Sequence, residues 1–126
     1  MEQYLCIYNE EGNAAIAQAV QAHPDRLIGF ATANPWHLKR AEDILRRGLD
    51  MGLRGLKIHS RVQGFVLSSD LVKPLLRIAQ EYQVPVYCHT GSFTVAEPFQ
   101  LRELALEFPK VNFIMGHSGN TDFWTD

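Results

Sequence analysis

Two histidines occupy the same position in two similar stretches of this 126-residue sequence. His89 follows the apolar run of VPVYCHTG, and His117 follows that of VNFIMGHSG, 28 positions further on. A small polar residue and a glycine come after each histidine. Neutral imidazole binds metal ions, and imidazole also transfers protons near neutral pH. The pattern therefore indicates a reactive site at these histidines or, alternatively, core histidines that bond to neighbouring carbonyl groups.

Short apolar runs bounded by turn residues are typical of buried strands, so each histidine is predicted at the C-terminal end of a strand. Two earlier strands are predicted over 27–33 and 53–59. The second of them ends at His59 and carries Lys57 on the same face, two residues before. The four predicted strand ends are 26, 30 and 28 positions apart, about the length of one strand–helix–strand unit.

Amphipathic patterns predict helices over 38–51, 71–82 and 98–108, between the predicted strands. A further helix is predicted to begin at Asn9, and a loop is predicted over 61–68. One face of the helix after Asn9 collects four residues: Ile16, Ala19, Val20 and His23.

Regular alternation of strands and helices implies an α/β fold with a parallel sheet and right-handed crossovers. Both an open doubly wound sheet and part of a (β/α)8 TIM barrel fit the pattern. A barrel places its chemistry at the C-terminal ends of the strands. Three successive strands end in histidine here, which favours the barrel. We therefore predict a partial barrel of about four parallel strands, with Lys57, His59, His89 and His117 at one edge.

The composition is that of an ordinary globular protein, with 46% hydrophobic and 21% charged residues, and a single domain over 1–126 is expected. The formal net charge of −2 gives no reason to expect a nucleic acid or an anionic membrane as a partner. A small-molecule substrate is expected instead. Cys6 and Cys88 lie in apolar surroundings, so we predict reduced thiols and a cytoplasmic location, with a disulfide between the two cysteines as the alternative.

Four stretches occur in a recognisable order: GLRGLKIHS, a loop with QGF, VPVYCHTG and ALEFPKVNFIMGHSG. Over about residues 24–119 the sequence resembles the amidohydrolase-related superfamily of metal-dependent (β/α)8 barrels, nearest to the branch of hydrolases and non-oxidative decarboxylases. The resemblance implies that His89 is a metal ligand and that His117 is a second ligand or a catalytic residue beside the metal. Lys57 and His59 are then expected to contact the substrate or support the ligands. The alternative for Lys57 is an ion pair with a carboxylate.

The sequence departs from the family at two places. The first-strand His-x-His pair is absent, and the sequence is expected to stop before the eighth-strand aspartate. Asp122 is interpreted as a solvated loop residue and not as that aspartate. A complete barrel has about 250 residues. The chain therefore resembles the third to sixth strands, and it is expected to be a fragment.

The resemblance implies a divalent metal ion, zinc or manganese, with zinc favoured. The expected activity is hydrolysis of a C–N or ester bond by metal-activated water. A non-oxidative decarboxylase and a catalytically silent fragment are the alternatives. Open strand edges and an inner face lined by Tyr87, Phe113 and Met115 also predict self-association or pairing with missing barrel segments.

Overall fold

The computed structural model describes residues 2–119. Helices alternate with short strands along the chain, and three 3-10 turns lie beside them. The helices are α1 (Glu2–Cys6), α2 (Asn9–Ala22), α3 (Lys39–Asp50), α4 (Ser60–Gln63), α5 (Lys73–Glu81) and α6 (Pro98–Glu107). The strands are β1 (Ala31–Thr32), β2 (Leu56–Ile58), β3 (Val86–His89) and β4 (Phe113–Gly116), and the turns are Pro35–His37, Asp70–Val72 and His117–Gly119.

The four strands form one parallel sheet in the order β1-β2-β3-β4. This arrangement confirms the predicted α/β fold with four parallel strands and helices between them. Strand β1 is shorter than predicted, because only Ala31 and Thr32 pair with β2. The preceding Ile28 is 74% exposed, so this apolar residue is not buried in the sheet.

The core lies between one face of the sheet and the helices. Leu56, Ile58, Val86 and Cys88 alternate along β2 and β3 and are at most 1% exposed. Helix α3 packs beside β1 and adds an apolar stripe at helical spacing to the same core, which includes the fully buried Leu45. Burial of one such leucine contributes about 2 kcal/mol to stability, so this layer holds the strand ends in place.

Helix α2 buries a polar face, not the apolar one. Asn9 and Asn13 are 1% and 2% exposed, whereas Ile16 is 45% exposed. The Asn13 side chain donates from Nδ2 to the Thr32 carbonyl at 2.9 Å, and its Oδ1 accepts from the Thr32 N–H at 2.8 Å. The Asn13 amide thus provides hydrogen-bond partners for the Thr32 backbone at the outer edge of β1, where buried backbone groups require partners.

The register corrects the predicted inner face. Tyr87 is aligned with Lys57 and Ile114, so these three share the face opposite the helices. Phe113 is aligned with Val86 and packs against the core, and Met115 is aligned with Cys88. The expectation that Phe113 and Met115 line the inner face is therefore wrong, because the neighbouring Ile114 occupies that face in β4.

We propose that the chain self-associates through β4, the last strand of the sheet as described. Ile114 and Met115 are 40% and 42% exposed on that strand, and exposed apolar edge strands promote association. Light scattering at micromolar concentration should give a mass above that of one chain, and Ile114→Lys should lower it. A monomeric wild-type chain with a concentration-independent melting temperature would refute the proposal.

Candidate functional site

Three histidines meet at the C-terminal edge of the sheet. The ring centroids of His59 and His89 are 3.8 Å apart, and those of His89 and His117 are 4.7 Å apart. Each histidine follows or ends a strand, and the parallel pairing brings those strand ends together. The structure thus places all three predicted residues in one cluster, while their chemical roles stay predictions.

The ring orientations separate the cluster into two kinds of pair. The rings of His59 and His89 are stacked, with 13° between their planes. Nitrogen lone pairs lie in the ring plane, so two stacked rings cannot both direct a lone pair at one ion. The rings of His89 and His117 are 71° apart, which allows their lone pairs to converge on one point. The second pair therefore fits a metal ion.

The charge state of His89 also suits a ligand. Burial first, and then the charges of the basic groups around it, lower the pKa of His89 to about 4. Its imidazole is therefore neutral at pH 7, the form that binds a metal ion. The pKa of His59 is lowered as well, first by burial and then by the charge of Lys57.

One nitrogen of His89 has a partner within the chain. His89 Nε2 lies 3.3 Å from Ser92 Oγ, so a serine that accepts this hydrogen bond leaves the lone pair on Nδ1. His59 Nδ1 is buried without a hydrogen-bond partner in the described part of the chain. Within that part, no three His, Cys, Asp or Glu side chains are arranged to hold a metal ion together. His89 and His117 thus fit as two ligands of a larger set.

Lys57 lies deeper on the same face of the sheet. Its Nζ lies 4.2 Å from the centre of the Tyr87 ring, a cation–π contact. Residues 3–119 provide no carboxylate within ion-pair distance of Lys57. The alternative of an ion pair for Lys57 therefore finds no support in this range. Burial lowers the pKa of the Lys57 ammonium group.

The end of β4 is held by a buried hydroxyl group. Thr90 Oγ1 donates to the Gly116 carbonyl at 2.6 Å and accepts from the Gly119 N–H at 3.1 Å. Between these two contacts, His117 and Ser118 have φ values of 59° and 53°. Such left-handed backbone is strained for residues other than glycine and is often found at functional sites. The Thr90 hydroxyl thus holds the turn that presents the His117 ring.

Gln63 supports the site, although the sequence alone did not predict it as a site residue. Its Oε1 accepts from the His59 N–H at 2.9 Å, and its Nε2 donates to the carbonyls of Ala33 at 3.0 Å and Leu5 at 3.2 Å. The predicted loop over 61–68 begins as the short helix α4, which turns Gln63 inward to 4% exposure. The QGF run of the resemblance was the one signal that pointed to it. Asp122 lies outside the described residues.

The fold and the cluster define a class of protein: a TIM-barrel-like α/β domain with histidines at the C-terminal strand ends. The family model described as amidohydrolase matches residues 6–125. The chain therefore belongs to the amidohydrolase family, whose members are in general metal-dependent. No curated protein matches the sequence.

Solved structures share the fold at low sequence identity. A candidate amidohydrolase from Staphylococcus aureus is 22% identical with a TM-score of 0.71, and the match covers 88% of this chain and 48% of that one. The 5-carboxyvanillate decarboxylase from Novosphingobium aromaticivorans, in complex with manganese and 4-hydroxy-3-methoxy-5-nitrobenzoic acid, is 23% identical with a TM-score of 0.70. That match covers 89% of this chain and 39% of the decarboxylase. The chain thus spans less than half the length of either structure.

Proposed function

We propose that the chain carries part of the active site of a metal-dependent hydrolase that cleaves a C–N or ester bond in a small molecule. The observation that supports this proposal best is the pair formed by His89 and His117. Their rings are 4.7 Å apart and 71° inclined, at strand ends of an amidohydrolase-family chain. Active sites of TIM barrels lie at this edge.

His89 and His117 would hold the ion, together with ligands from outside the described residues. Imidazole ligands suit zinc, and the manganese in the decarboxylase structure supports manganese as the other choice. When bound, a divalent ion would supply Lewis-acid activation of a carbonyl group and of a water molecule.

The chain's own residues would orient the His89 ring and protonate the leaving group. The stacked His59 ring fixes the plane of the His89 ring, and the Ser92 hydroxyl engages its Nε2. His117 is exposed at the same edge, so a ring nitrogen of His117 could instead give a proton to the leaving group. Lys57 and His59 would support these groups or contact the substrate from the same face.

Non-oxidative decarboxylation is the second candidate function. The similarity to a decarboxylase that binds manganese and a nitrobenzoic acid favours it. A catalytically silent chain is the remaining alternative. The same histidine pair would serve either reaction. The two candidate functions are therefore distinguished by the products that form.

A product assay tests the proposed hydrolysis. The chain, with manganese or zinc added, is incubated with an aryl ester, an anilide and a 13C-carboxyl-labelled hydroxybenzoate. We expect metal-dependent release of the phenol or the aniline that exceeds a metal-only blank and is lost in His117→Ala. Release of 13CO2 alone would assign the decarboxylase, and a metal-loaded chain that releases neither product would indicate a silent protein.

We also propose a cytoplasmic location. Burial raises the pKa of the Cys88 thiol to about 12, which keeps the thiol protonated, and such a thiol is compatible with the reducing cytoplasm. A small-molecule substrate is proposed in place of a nucleic acid or a membrane. No helix of residues 2–119 has the length and apolar character needed to cross a bilayer.

A further inference from the structure

A small cleft opens beside the histidine cluster. It has a volume of about 300 Å³ and lies between α4 and the loop that follows β3. Its walls are formed by Arg61, Gly91, Ser92, Phe93 and Val95. Because Ser92 Oγ lies 3.3 Å from His89 Nε2, a molecule in this cleft lies directly beside His89.

Arg61 is the charged side chain among the residues that line the cleft. Arg61 forms no ion pair with a carboxylate of residues 3–119. Arg46, by contrast, binds the Glu81 carboxylate with two hydrogen bonds of 2.7 Å. Two cationic side chains, Lys57 and Arg61, contribute positive charge at His89. An anionic ligand would therefore be attracted to Arg61, which forms no ion pair with a carboxylate among the described residues.

We propose that Arg61 and Ser92 bind a carboxylate group of the substrate in the cleft beside His89. This inference rests on the proposed function, and it adds the substrate class: a small carboxylic acid. The Arg61 guanidinium would donate two parallel hydrogen bonds to the carboxylate, and the Ser92 hydroxyl would donate a third. The aromatic ring of Phe93, 57% exposed, would pack against the apolar body of the ligand.

A carboxylate fits these groups better than a phosphate. Both anions match the planar guanidinium fork, but a phosphate carries more charge and more oxygen atoms that require donors. The cleft offers one guanidinium and one hydroxyl among its side chains, and its other side-chain walls are apolar. Its volume is at the lower end of the range for ligand sites, which suits a molecule of the size of benzoate.

Binding of simple probes to the full chain tests the inference without turnover. Benzoate, its neutral analogue benzamide and inorganic phosphate are titrated into 15N-labelled protein and followed by NMR, with and without manganese. We expect benzoate to bind more tightly than benzamide or phosphate. Arg61→Gln should raise the Kd for benzoate about tenfold, since it removes charge-assisted hydrogen bonds, and should leave benzamide unaffected.

Two variants serve as controls. Arg102→Gln removes another exposed arginine, on α6 and outside the cleft, and should leave the Kd for benzoate unchanged. Arg61→Lys keeps the charge without the fork and should show a smaller loss than Arg61→Gln. Equal benzoate binding by wild type and Arg61→Gln would overturn the inference, as would no benzoate binding at all or tighter binding of phosphate.

The metal-free titration separates this inference from the proposed function. Arg61-dependent benzoate binding by a chain that binds no metal would keep the carboxylate site and refute the metal-dependent hydrolase. Metal binding that requires His89, combined with benzoate binding that is indifferent to Arg61, would refute the carboxylate site alone.

Discussion

Replacement of Gln63 by alanine is expected to lower the free energy of unfolding by about 3 kcal/mol or more. The Gln63 side chain is 4% exposed and bonds to three backbone groups: the His59 N–H and the carbonyls of Ala33 and Leu5. Truncation would leave these groups without their partner, and each buried unsatisfied group costs about 1–3 kcal/mol. Since Gln63 joins the ends of β1 and β2 to α1, the variant should also loosen the position of His59.

Urea denaturation measures this effect. Gln80→Ala is the matched control, because Gln80 lies exposed on α5 and its removal should change the unfolding free energy by less than about 0.5 kcal/mol. A second readout is the NMR signal of the His59 ring, which should broaden or shift in Gln63→Ala only. A loss of stability no larger than that of the control would show that water replaces the three hydrogen bonds.

Periodicity made much of the fold predictable. The strand ends near His59, His89 and His117 and the helices over 38–51, 71–82 and 98–108 correspond to elements of the structure. The spacing of apolar residues indicates which of them pack in the hydrophobic core, and in this protein the core lies on the helix-facing side of the sheet. Strand β1 was predicted too long because an apolar run such as 27–30 does not reveal whether a neighbour pairs with it.

Polar burial was not predictable from the pattern. Helix α2 buries Asn9 and Asn13 against backbone groups at the edge of β1, and its apolar Ile16 is left half-exposed. A hydrophobic pattern cannot identify a face that satisfies backbone hydrogen bonds, since that requirement arises only from the tertiary arrangement. Gln63 was missed for the same reason.

The candidate site was predictable in its position and not in its geometry. Strand-end placement brought His59, His89 and His117 to one edge, as the structure has them. The inclination of each ring depends on the turn held by Thr90 and on the stacking of His59, which no spacing encodes. The ring angles favour His89 and His117, rather than the stacked His59 and His89, as the pair that we propose for an ion.

Replacement of His89 by alanine is expected to weaken binding of manganese or zinc by more than about 100-fold. His89 is central to the cluster, because it contacts both His59 and His117. Loss of an outer partner of a metal ligand costs about 10- to 100-fold in affinity, so loss of a ligand should cost more. His59→Ala should have the smaller effect, since its ring supports His89 and is not oriented to share an ion with it.

The most direct test of the metal site is calorimetric titration of manganese and zinc into the metal-free full chain and its variants. His23→Ala is the control, because His23 is exposed after α2 and lies outside the cluster. We predict saturable binding to wild type and His23→Ala, with a strong loss in His89→Ala and in His117→Ala. Equal metal binding by wild type and His89→Ala, or no binding by wild type, would contradict the assignment of these histidines as metal ligands.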